Sequence, residues 1–494
     1  MKKRILALTL PLLFLGNVNA APSIELFEQD YKAIAETVLD SSGLAIFKDR
    51  ELKIEGITRS DNVADFEVNS KISFNEKENL QIKEIGEVVF TNYAENKGVA
   101  TVISNSDYAL HSQIDGVDSI LMEVKGVATQ SQIDRENQHF KFKSEFPTLE
   151  VSNPDTEKRG FIRIEGLVGE GDYGFKDDFS KIDSLKGTYK TGNVVVEVKD
   201  QESDVKINVE DLLLDTELNY DEKIQKSVFE LNGLEVLSAH SGDEQKTKVN
   251  LDKISYRTGA ELRDNAPTIF GEIDVKEIQV TPKGRDVVAN FGDLSFDLFL
   301  TPLADNLFEQ LTEAGINNFS SFDDSYKNAF ALFKTYLVED TAVEFHINGK
   351  LGEHEAKKFL SITPNSALIE KLATVDVTDD AALDQLFAGL GFFEFVNQYI
   401  AAIELDVTSP KAYIIEFGSN ALLAAGEEET MDAARKAMQE AYQQMQLMAM
   451  MLSAEAPLIE FVADGLRVHI QYENGAWIVN GKPLDLEAIA GLLN

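Results

Sequence analysis

The chain has 494 residues, with 46 Lys and Arg against 85 Asp and Glu, so its formal net charge is −39. A surface this acidic excludes broad contact with nucleic-acid phosphates, which requires clustered basic side chains. The chain contains no cysteine, which excludes disulfides, zinc fingers, thiol redox centres and cysteine nucleophiles. With 44% hydrophobic and 27% charged residues, the composition is that of a globular protein with a large core.

The first 20 residues have the pattern of a secretory signal peptide. Three basic residues at positions 2–4 precede an apolar run, Ile5–Leu15, and small residues end the segment at Ala20. The apolar run is shorter than the roughly 20 residues that a membrane-spanning helix needs. We therefore expect cleavage after Ala20 and export to the periplasm, with outer-membrane or extracellular association also open, and no transmembrane helix in the mature protein. An uncleaved N-terminal anchor is the alternative.

A six-residue pattern recurs through the first part of the mature chain, with apolar residues at its first, third and sixth positions. The copies begin at Leu52, Leu80, Met122, Ile162, Ile207, Phe229, Val249, Ile273 and Ala289. Alternation of apolar and charged residues is typical of a strand with one buried face and one wet face. We predict a repetitive antiparallel β region over residues 21–300. Chance recurrence in any β-rich chain is the alternative reading of the pattern.

Helical periodicity begins near residue 301. Thr301-Pro302, followed by leucines four residues apart, predicts a helix start, and an aromatic stripe over 319–337 predicts a second helix. We predict further helices at about 379–402 and 428–452, and a strand at 412–417 between them.

Two Asn-Gly pairs predict hairpin turns in this C-terminal part, because Asn-Gly between alternating strands is the strongest local hairpin signal. One is Asn348-Gly349 within the segment 343–351, and the other is Asn474-Gly475 between strands at 466–472 and 476–479. A short helix is expected from Asp485. The predicted fold class is α+β, mainly β: a long antiparallel β-meander of amphipathic strands, followed by a helical and hairpin C-terminal region over residues 301–494.

The predicted helix Met431–Leu452 is unusual because six of the chain's eight methionines lie on it. Its apolar residues follow the alternating three- and four-residue spacing of a helical seam. Flexible thioethers suit a surface that accepts apolar partners of different shapes. Packing against the rest of the core and self-association are the alternatives. The candidate residues for an apolar ligand surface are Met438, Met445, Met448, Phe330 and Phe333.

The sequence contains no recognisable catalytic motif. His354-Glu355 has Lys358 where a zinc protease motif needs its second histidine, and no serine-hydrolase elbow occurs. The acidic groups at Asp379-Asp380 and 427–429 lie at predicted helix starts, where the helix dipole favours negative charge. We predict no catalytic residue, no metal site and no cofactor. A hydrolase outside the cytoplasm is a weaker alternative that depends only on the abundance of carboxylates.

The terminal hairpin Leu466–Val479, followed by Asn480-Gly481-Lys482-Pro483-Leu484, together with the repeats from Leu52 to Leu294, resembles the YdgA-like family of bacterial envelope proteins. The resemblance covers nearly the whole mature chain. It implies an envelope location and a β architecture, and it implies no particular reaction. Members of that family look anchored by an N-terminal segment, whereas the signal of this chain looks cleavable.

These patterns lead to one functional expectation. The chain is expected to be an exported, non-enzymatic envelope protein that binds an apolar or amphiphilic, lipid-like ligand on its amphipathic sheet. The alternative is a structural or protein-interaction component of the cell envelope or outer surface, whose partner is another envelope protein. Neither function involves nucleic acid.

Overall fold

The structure is a computed structural model. It describes residues 24–41, 49–60, 62–73, 78–94, 97–114, 117–152, 159–199, 203–240, 246–308, 334, 336–375, 391–452, 459–462, 464–473 and 475–484. Most of these residues form antiparallel β-sheet, and helices follow in the C-terminal part. The described helices are α1 (Ile24–Ser41), α2 (Ser366–Thr374), α3 (Phe392–Tyr399), α4 (Lys411–Ala425) and α5 (Met431–Leu452). The α+β, mainly β class predicted from the sequence is therefore confirmed.

Over the described residues the sheet contains 24 strands. The first twelve are β1 (Asp49–Ser60), β2 (Val63–Ser73), β3 (Glu78–Ala94), β4 (Lys97–Ile114), β5 (Val117–Asp134), β6 (His139–Glu145), β7 (Leu149–Ser152), β8 (Arg159–Ile164), β9 (Val168–Lys176), β10 (Lys181–Lys190), β11 (Val194–Lys199) and β12 (Ser203–Val209). The others are β13 (Asp211–Asn219), β14 (Ile224–His240), β15 (Thr247–Arg263), β16 (Ala266–Thr281), β17 (Ala289–Leu303), β18 (Leu337–Leu351), β19 (His354–Pro364), β20 (Ile400–Pro410), β21 (Glu460–Val462), β22 (Gly465–Glu473), β23 (Ala476–Val479) and β24 (Lys482–Pro483).

Neighbouring strands in the sheet are mostly neighbours in the chain. The main path of pairing is β1-β2-β3-β4-β5-β6-β9-β10-β13-β14-β15-β16-β17-β18-β19-β20-β22-β23-β24, and every pair is antiparallel. A side branch, β7-β8-β11-β12, joins the second half of β14. Among the described residues the sheet is open, since its path does not return to β1. The chain therefore forms a long antiparallel meander.

A line of backbone irregularities crosses this sheet. It separates β6 from β7, β9 from β8, β10 from β11 and β13 from β12, which are the two halves of longer strands. Residues with positive φ lie along the same line at Gly126, Gly166, Gly233, Glu277 and Gly292. An extra residue in a strand reverses its alternation, so apolar residues at the first, third and sixth positions of a segment can share one face. Each of these five residues is the fourth or fifth residue of one copy of the six-residue pattern. The prediction that these copies are repeats of one structural unit stays a prediction.

Helix α1 packs on the N-terminal part of the sheet. Its apolar residues recur at helical spacing: Phe27 and Ile34 are buried, and Tyr31 and Val38 are partly buried. The ring of Phe27 lies 5.6 Å from that of Phe66 on β2, centroid to centroid. The same core includes residues of β3, β4, β5, β9, β10 and β13, so this half of the sheet curves around one helix.

Helices α4 and α5 pack on the C-terminal part of the sheet. Phe417 of α4 meets Phe291 of β17, with ring centroids 5.3 Å apart. Leu423 of α4 and Ala434 of α5 share a buried cluster with Ala289 of β17. These contacts place α4 against β17. Helix α5 packs on α4 and reaches the same buried cluster through Ala434.

Two predicted elements of the C-terminal part are wrong because tertiary contacts override local signals. The predicted strand 412–417 belongs to α4, which continues to a left-handed C-terminal residue at Gly426. Asn348-Gly349 is not a turn: both residues pair within β18, and the chain turns at Gly352 instead. Gly349 makes room for α4, since a Cβ there would lie 2.0 Å from the hydroxyl oxygen of Tyr413 and would displace that ring.

Two predicted helix boundaries are also wrong. Thr301 and Leu303 continue β17 and pair with β18, so no helix begins at Pro302. The helix predicted to end near residue 402 ends at Tyr399, and Ile400 begins β20. The Met-rich helix and the terminal hairpin around Gly475 are confirmed. The helix predicted over 319–337 lies outside the described residues as far as 333; residues 334 and 336 are helical, and Leu337 begins β18. The segment 379–390 and the helix predicted from Asp485 also lie outside the described residues.

Candidate functional site

Large apolar residues form a continuous row across the middle of the sheet. Directly opposed residues of an antiparallel pair lie on the same face, and one such register crosses seven strands from β10 to β18. The row is Tyr189, Leu214, Phe229, Tyr256, Ile273, Phe296 and Ile347. All except the half-buried Phe229 are 36–42% exposed.

A second row lies two residues along the strands, on the same face. It consists of the half-buried Leu212, Leu231, Ile254, Val275 and Leu294. We call these two rows the central apolar rows. Contiguous apolar surface that stays accessible in a folded protein marks a binding site more often than isolated exposed residues do.

The opposite face of the same strands is charged. Cross-strand ion pairs join Lys253 to Glu230 at 2.7 Å and Arg257 to Glu272 at 2.6 Å. Asp297 carries a pKa raised by burial and by neighbouring acidic groups. The central part of the sheet thus has one polar, paired face and one apolar face.

The helices that pack on the sheet lie on its apolar face. Leu218 is four residues from Leu214 on β13, so it shares the face of the central apolar rows, and it belongs to the core around α1. Gly349 is two residues from Ile347 on β18, and its missing side chain makes room for Tyr413 of α4. The central apolar rows therefore lie between the part of the sheet that α1 covers and the part that α4 covers.

A cavity of about 460 Å³ lies between the second half of α1 and strands β1–β4. Its walls are mainly aliphatic and aromatic, and include Ile34, Val38, Leu52, Val68, Ile72 and Ile82. Ligand pockets in proteins are typically concave, largely apolar and about 300–1,000 Å³ in volume. We call this space the α1 cavity.

One buried carboxyl group lies in the wall of the α1 cavity. Glu84 of β3 is only 8% exposed. The Tyr31 hydroxyl donates a hydrogen bond to its Oε2 at 2.6 Å, and the Ser104 hydroxyl donates to its Oε1. Burial raises the pKa of Glu84, while these two hydrogen bonds oppose that shift. The described partners of both oxygens are neutral hydroxyl groups, so the carboxyl is solvated by the protein without a direct ion pair.

A second buried acidic group fixes α1 to the sheet on another side. Asp30 of α1 accepts hydrogen bonds from Tyr93 of β3 and from Nε of Arg135, the latter at 2.8 Å. The side chains of Asp30 and Arg135 are 5% and 8% exposed. Burial raises the pKa of Asp30 although both partners lower it. Helix α1 is thus attached through polar groups as well as through its apolar stripe.

The methionine residues proposed from the sequence lie on α5, away from the α1 cavity. Met438 packs against Gly418 of α4, where a Cβ would lie 2.3 Å from the methionine Cε. Met445 is 37% and Met448 57% exposed. Met438 is therefore part of the contact between α4 and α5, while the other two are on an accessible helix face.

Phe330 and Phe333, the other two proposed ligand-surface residues, lie outside the described residues. Sequence reasoning did not find the central apolar rows or the α1 cavity. The helical spacing of Phe27, Tyr31 and Ile34 could have revealed α1. Glu84 occupies a polar position of the six-residue pattern, although it is two residues from Ile82 and lies on the same covered face of β3.

Within the described ranges, His, Asp and Glu side chains form no group of three that could hold a metal ion. None of the helices there has the length and apolar content needed to cross a membrane.

Comparison with known proteins adds little to this picture. No protein-family model matches the chain, and no characterised protein matches it in sequence. The crystal structure of the ferric citrate transporter FecA in the unliganded form matches 73% of this chain at 6% identity, with a TM-score of 0.12. The match spans 52% of that protein, about half its length, and so low a score carries no argument about fold or function.

Proposed function

We propose that the chain is an exported envelope protein that binds the acyl chain of an amphiphile on the central apolar rows, without catalysing a reaction. The observation that carries this proposal is the continuous apolar row from Tyr189 to Ile347, in which six of the seven residues are exposed. Its residues come from seven strands, so only the register of the whole sheet brings them together.

The dimensions of the row suit an acyl chain. Seven strands about 4.8 Å apart give a row about 29 Å long. One acyl chain spans about half of the roughly 30 Å hydrocarbon core of a bilayer. A chain lying across the strands would therefore have apolar contact along its whole length.

The chemistry of the sheet supports an apolar occupant. The backbone groups of these strands are already hydrogen-bonded to neighbouring strands. Among the side chains of the rows, only the two tyrosines carry a group that forms hydrogen bonds. Transfer of apolar surface from water onto such a face is favourable by roughly 25 cal/mol per Å². The charged face on the other side keeps the same strands hydrated.

Export supports the same function. The sequence at residues 1–20 has the pattern of a cleavable signal, which would deliver the chain to the periplasm, where envelope amphiphiles cross an aqueous space. Membership of the YdgA-like family is part of this proposal. The accessible methionines Met445 and Met448 would supply a second, adaptable apolar contact.

The test is mass spectrometry of organic extracts from the mature chain, purified from the periplasm without detergent. The inner-face variant carries Leu214→Gln, Ile273→Gln and Phe296→Gln. We expect the wild-type chain to carry an amphiphile near one molecule per chain, and the inner-face variant to lose most of it.

The matched control carries Asp215→Gln, Asp274→Gln and Asp297→Gln, each one residue further along the same strand and on the charged face. It should retain the amphiphile, and circular dichroism should show all three proteins folded. Equal loading of both variants would contradict the proposal. Empty extracts from all three, with no uptake of a fluorescent fatty acid, would favour the protein-interaction alternative instead.

A further inference from the structure

We infer that the α1 cavity is a second binding site, specific for a small molecule with an apolar body and a cationic, hydrogen-bond-donating end such as an alkylamine. This inference is independent of the central apolar rows. It follows from the shape of the cavity, the position of Glu84 in its wall, and the charges around its opening.

The apolar body is recognised by the aliphatic walls. Ile34 and Val38 of α1 face Val68 and Ile72 of β2 and Ile82 of β3 across the 460 Å³ space. A cavity of this size is large enough for a drug-sized or single-chain ligand. The walls therefore select for a ligand that is mostly hydrocarbon.

The polar end is recognised by Glu84. A carboxylate has about four acceptor positions on its two oxygens, and the hydroxyl groups of Tyr31 and Ser104 occupy one on each oxygen. Acceptor capacity remains on a group that is among the residues lining the cavity. The ligand group that best satisfies a buried carboxylate is a charged donor, because such hydrogen bonds are about twice as strong as neutral ones.

The charges at the opening favour the same class of ligand. Glu36, Glu51 and Lys32 also line the cavity, and Lys32 is 3.8 Å from Glu36 in an exposed ion pair. With Glu84, the cavity holds three acidic groups and one basic group. The formal net charge of the whole chain is −39. A fatty acid would place a second carboxylate beside Glu84, which is unfavourable for like charges in a site of low polarity.

The experiment compares decylamine, decanol and decanoate, which share a chain length and differ in their polar end. Each is titrated by calorimetry into the mature full-length chain near neutral pH, below the concentration at which it aggregates. We expect decylamine to bind at least about tenfold more tightly than decanoate, with decanol between them, since one charged hydrogen bond changes affinity by about that factor or more.

Glu84→Gln should remove this preference, reducing decylamine affinity about tenfold while leaving decanol unchanged. Glu87→Gln is the matched control, because Glu87 lies on the same strand in an exposed ion pair with Arg59, and it should bind like the wild-type chain. Ala35→Leu places a larger side chain of α1 in the cavity and should abolish binding of all three molecules. This second variant still tests the site if Glu84→Gln does not fold.

Three outcomes would overturn the inference. They are equal affinity for decylamine and decanoate, an unchanged preference in Glu84→Gln, and binding that survives Ala35→Leu. The inner-face variant of Leu214, Ile273 and Phe296 should retain decylamine binding. A failure of the acyl-chain proposal is therefore distinguishable from a failure at the α1 cavity.

Discussion

Replacing Arg135 by Met should loosen helix α1 from the sheet, because it leaves Asp30 buried without its cation. Both side chains of this ion pair are at least nine-tenths buried. Removing one partner of such a pair typically costs about 3–5 kcal/mol of folding free energy, since an uncompensated charge remains in the interior. We expect Arg135→Met to lose about that amount near neutral pH.

The sign of the pH dependence follows from the pKa of Asp30, which burial raises and Arg135 lowers. Stability from a carboxyl group with a raised pKa is fully present below its unfolded pKa and is lost as the pH rises through its folded pKa. Without Arg135 the folded pKa rises further. The cost of Arg135→Met should therefore be largest near neutral pH and shrink in acid.

Urea unfolding followed by circular dichroism, at about pH 7 and about pH 4, measures this cost, and hydrogen exchange of the α1 amides locates it. The double variant Asp30→Asn, Arg135→Met should recover most of the loss, because Asn still accepts the hydrogen bond from Tyr93. Lys83→Met is the control: its ion pair with Glu67 is 53% and 43% exposed, so it should cost at most about 1 kcal/mol. A pH-independent cost below about 1 kcal/mol for Arg135→Met would refute the reasoning.

Three further predictions concern other parts of the fold. Glu84→Gln should gain stability relative to the wild-type chain as the pH rises from acid to neutral, because burial raises the pKa of Glu84; urea unfolding against pH that gave a constant difference would contradict this. Gly349→Val should cost about 1–3 kcal/mol by overpacking, since Tyr413 already fills that space, and Tyr413→Leu should restore part of the loss in thermal unfolding. Met445→Gln with Met448→Gln should change stability by no more than about 0.5 kcal/mol, since both side chains are accessible; a larger loss in the same assay would place them in the core.

The β-rich class and the terminal hairpin could be predicted because their signals are local. Alternation with period two identifies strands without knowledge of their partners, and Gly475 takes the positive φ that a tight hairpin needs. The same local signal failed at Gly349, where glycine is present for the close approach of a tyrosine ring. One dipeptide thus serves two physical purposes that the sequence does not distinguish.

Helix α4 shows how tertiary packing overrides local propensity. The segment 412–417 is rich in Tyr, Ile and Phe, which favour strands. Yet Tyr413 and Phe417 are four residues apart, and their rings stack at 5.6 Å on one side of a helix, where Phe417 meets Phe291. The partner that decides between strand and helix is more than a hundred residues away in the chain.

The central apolar rows could not be predicted because they depend on register. Each residue, such as Leu214 or Phe296, is an ordinary apolar position in its own strand. A slip of one residue in any pairing would move that residue to the charged face. Glu84 shares the covered face of β3 with Ile82 and Val88 by simple alternation, but a carboxylate at such a position gives no sign in the sequence of the Tyr31 and Ser104 hydroxyls that solvate it.

The two proposed sites share one line of the sheet. From Tyr189 the register continues across β9, β6, β5 and β4 through small residues: Gly169, Ser144, Thr129 and Ser104. Ser104 is the residue that donates a hydrogen bond to Glu84. With strands about 4.8 Å apart, five spacings separate Ser104 from Leu214 by about 24 Å. At that distance substitutions at one site should not alter the other directly. Along this line the side chains change from large and apolar at Tyr189 to small and mostly polar at Ser104, so the continuous apolar surface ends before the part of the sheet that α1 covers.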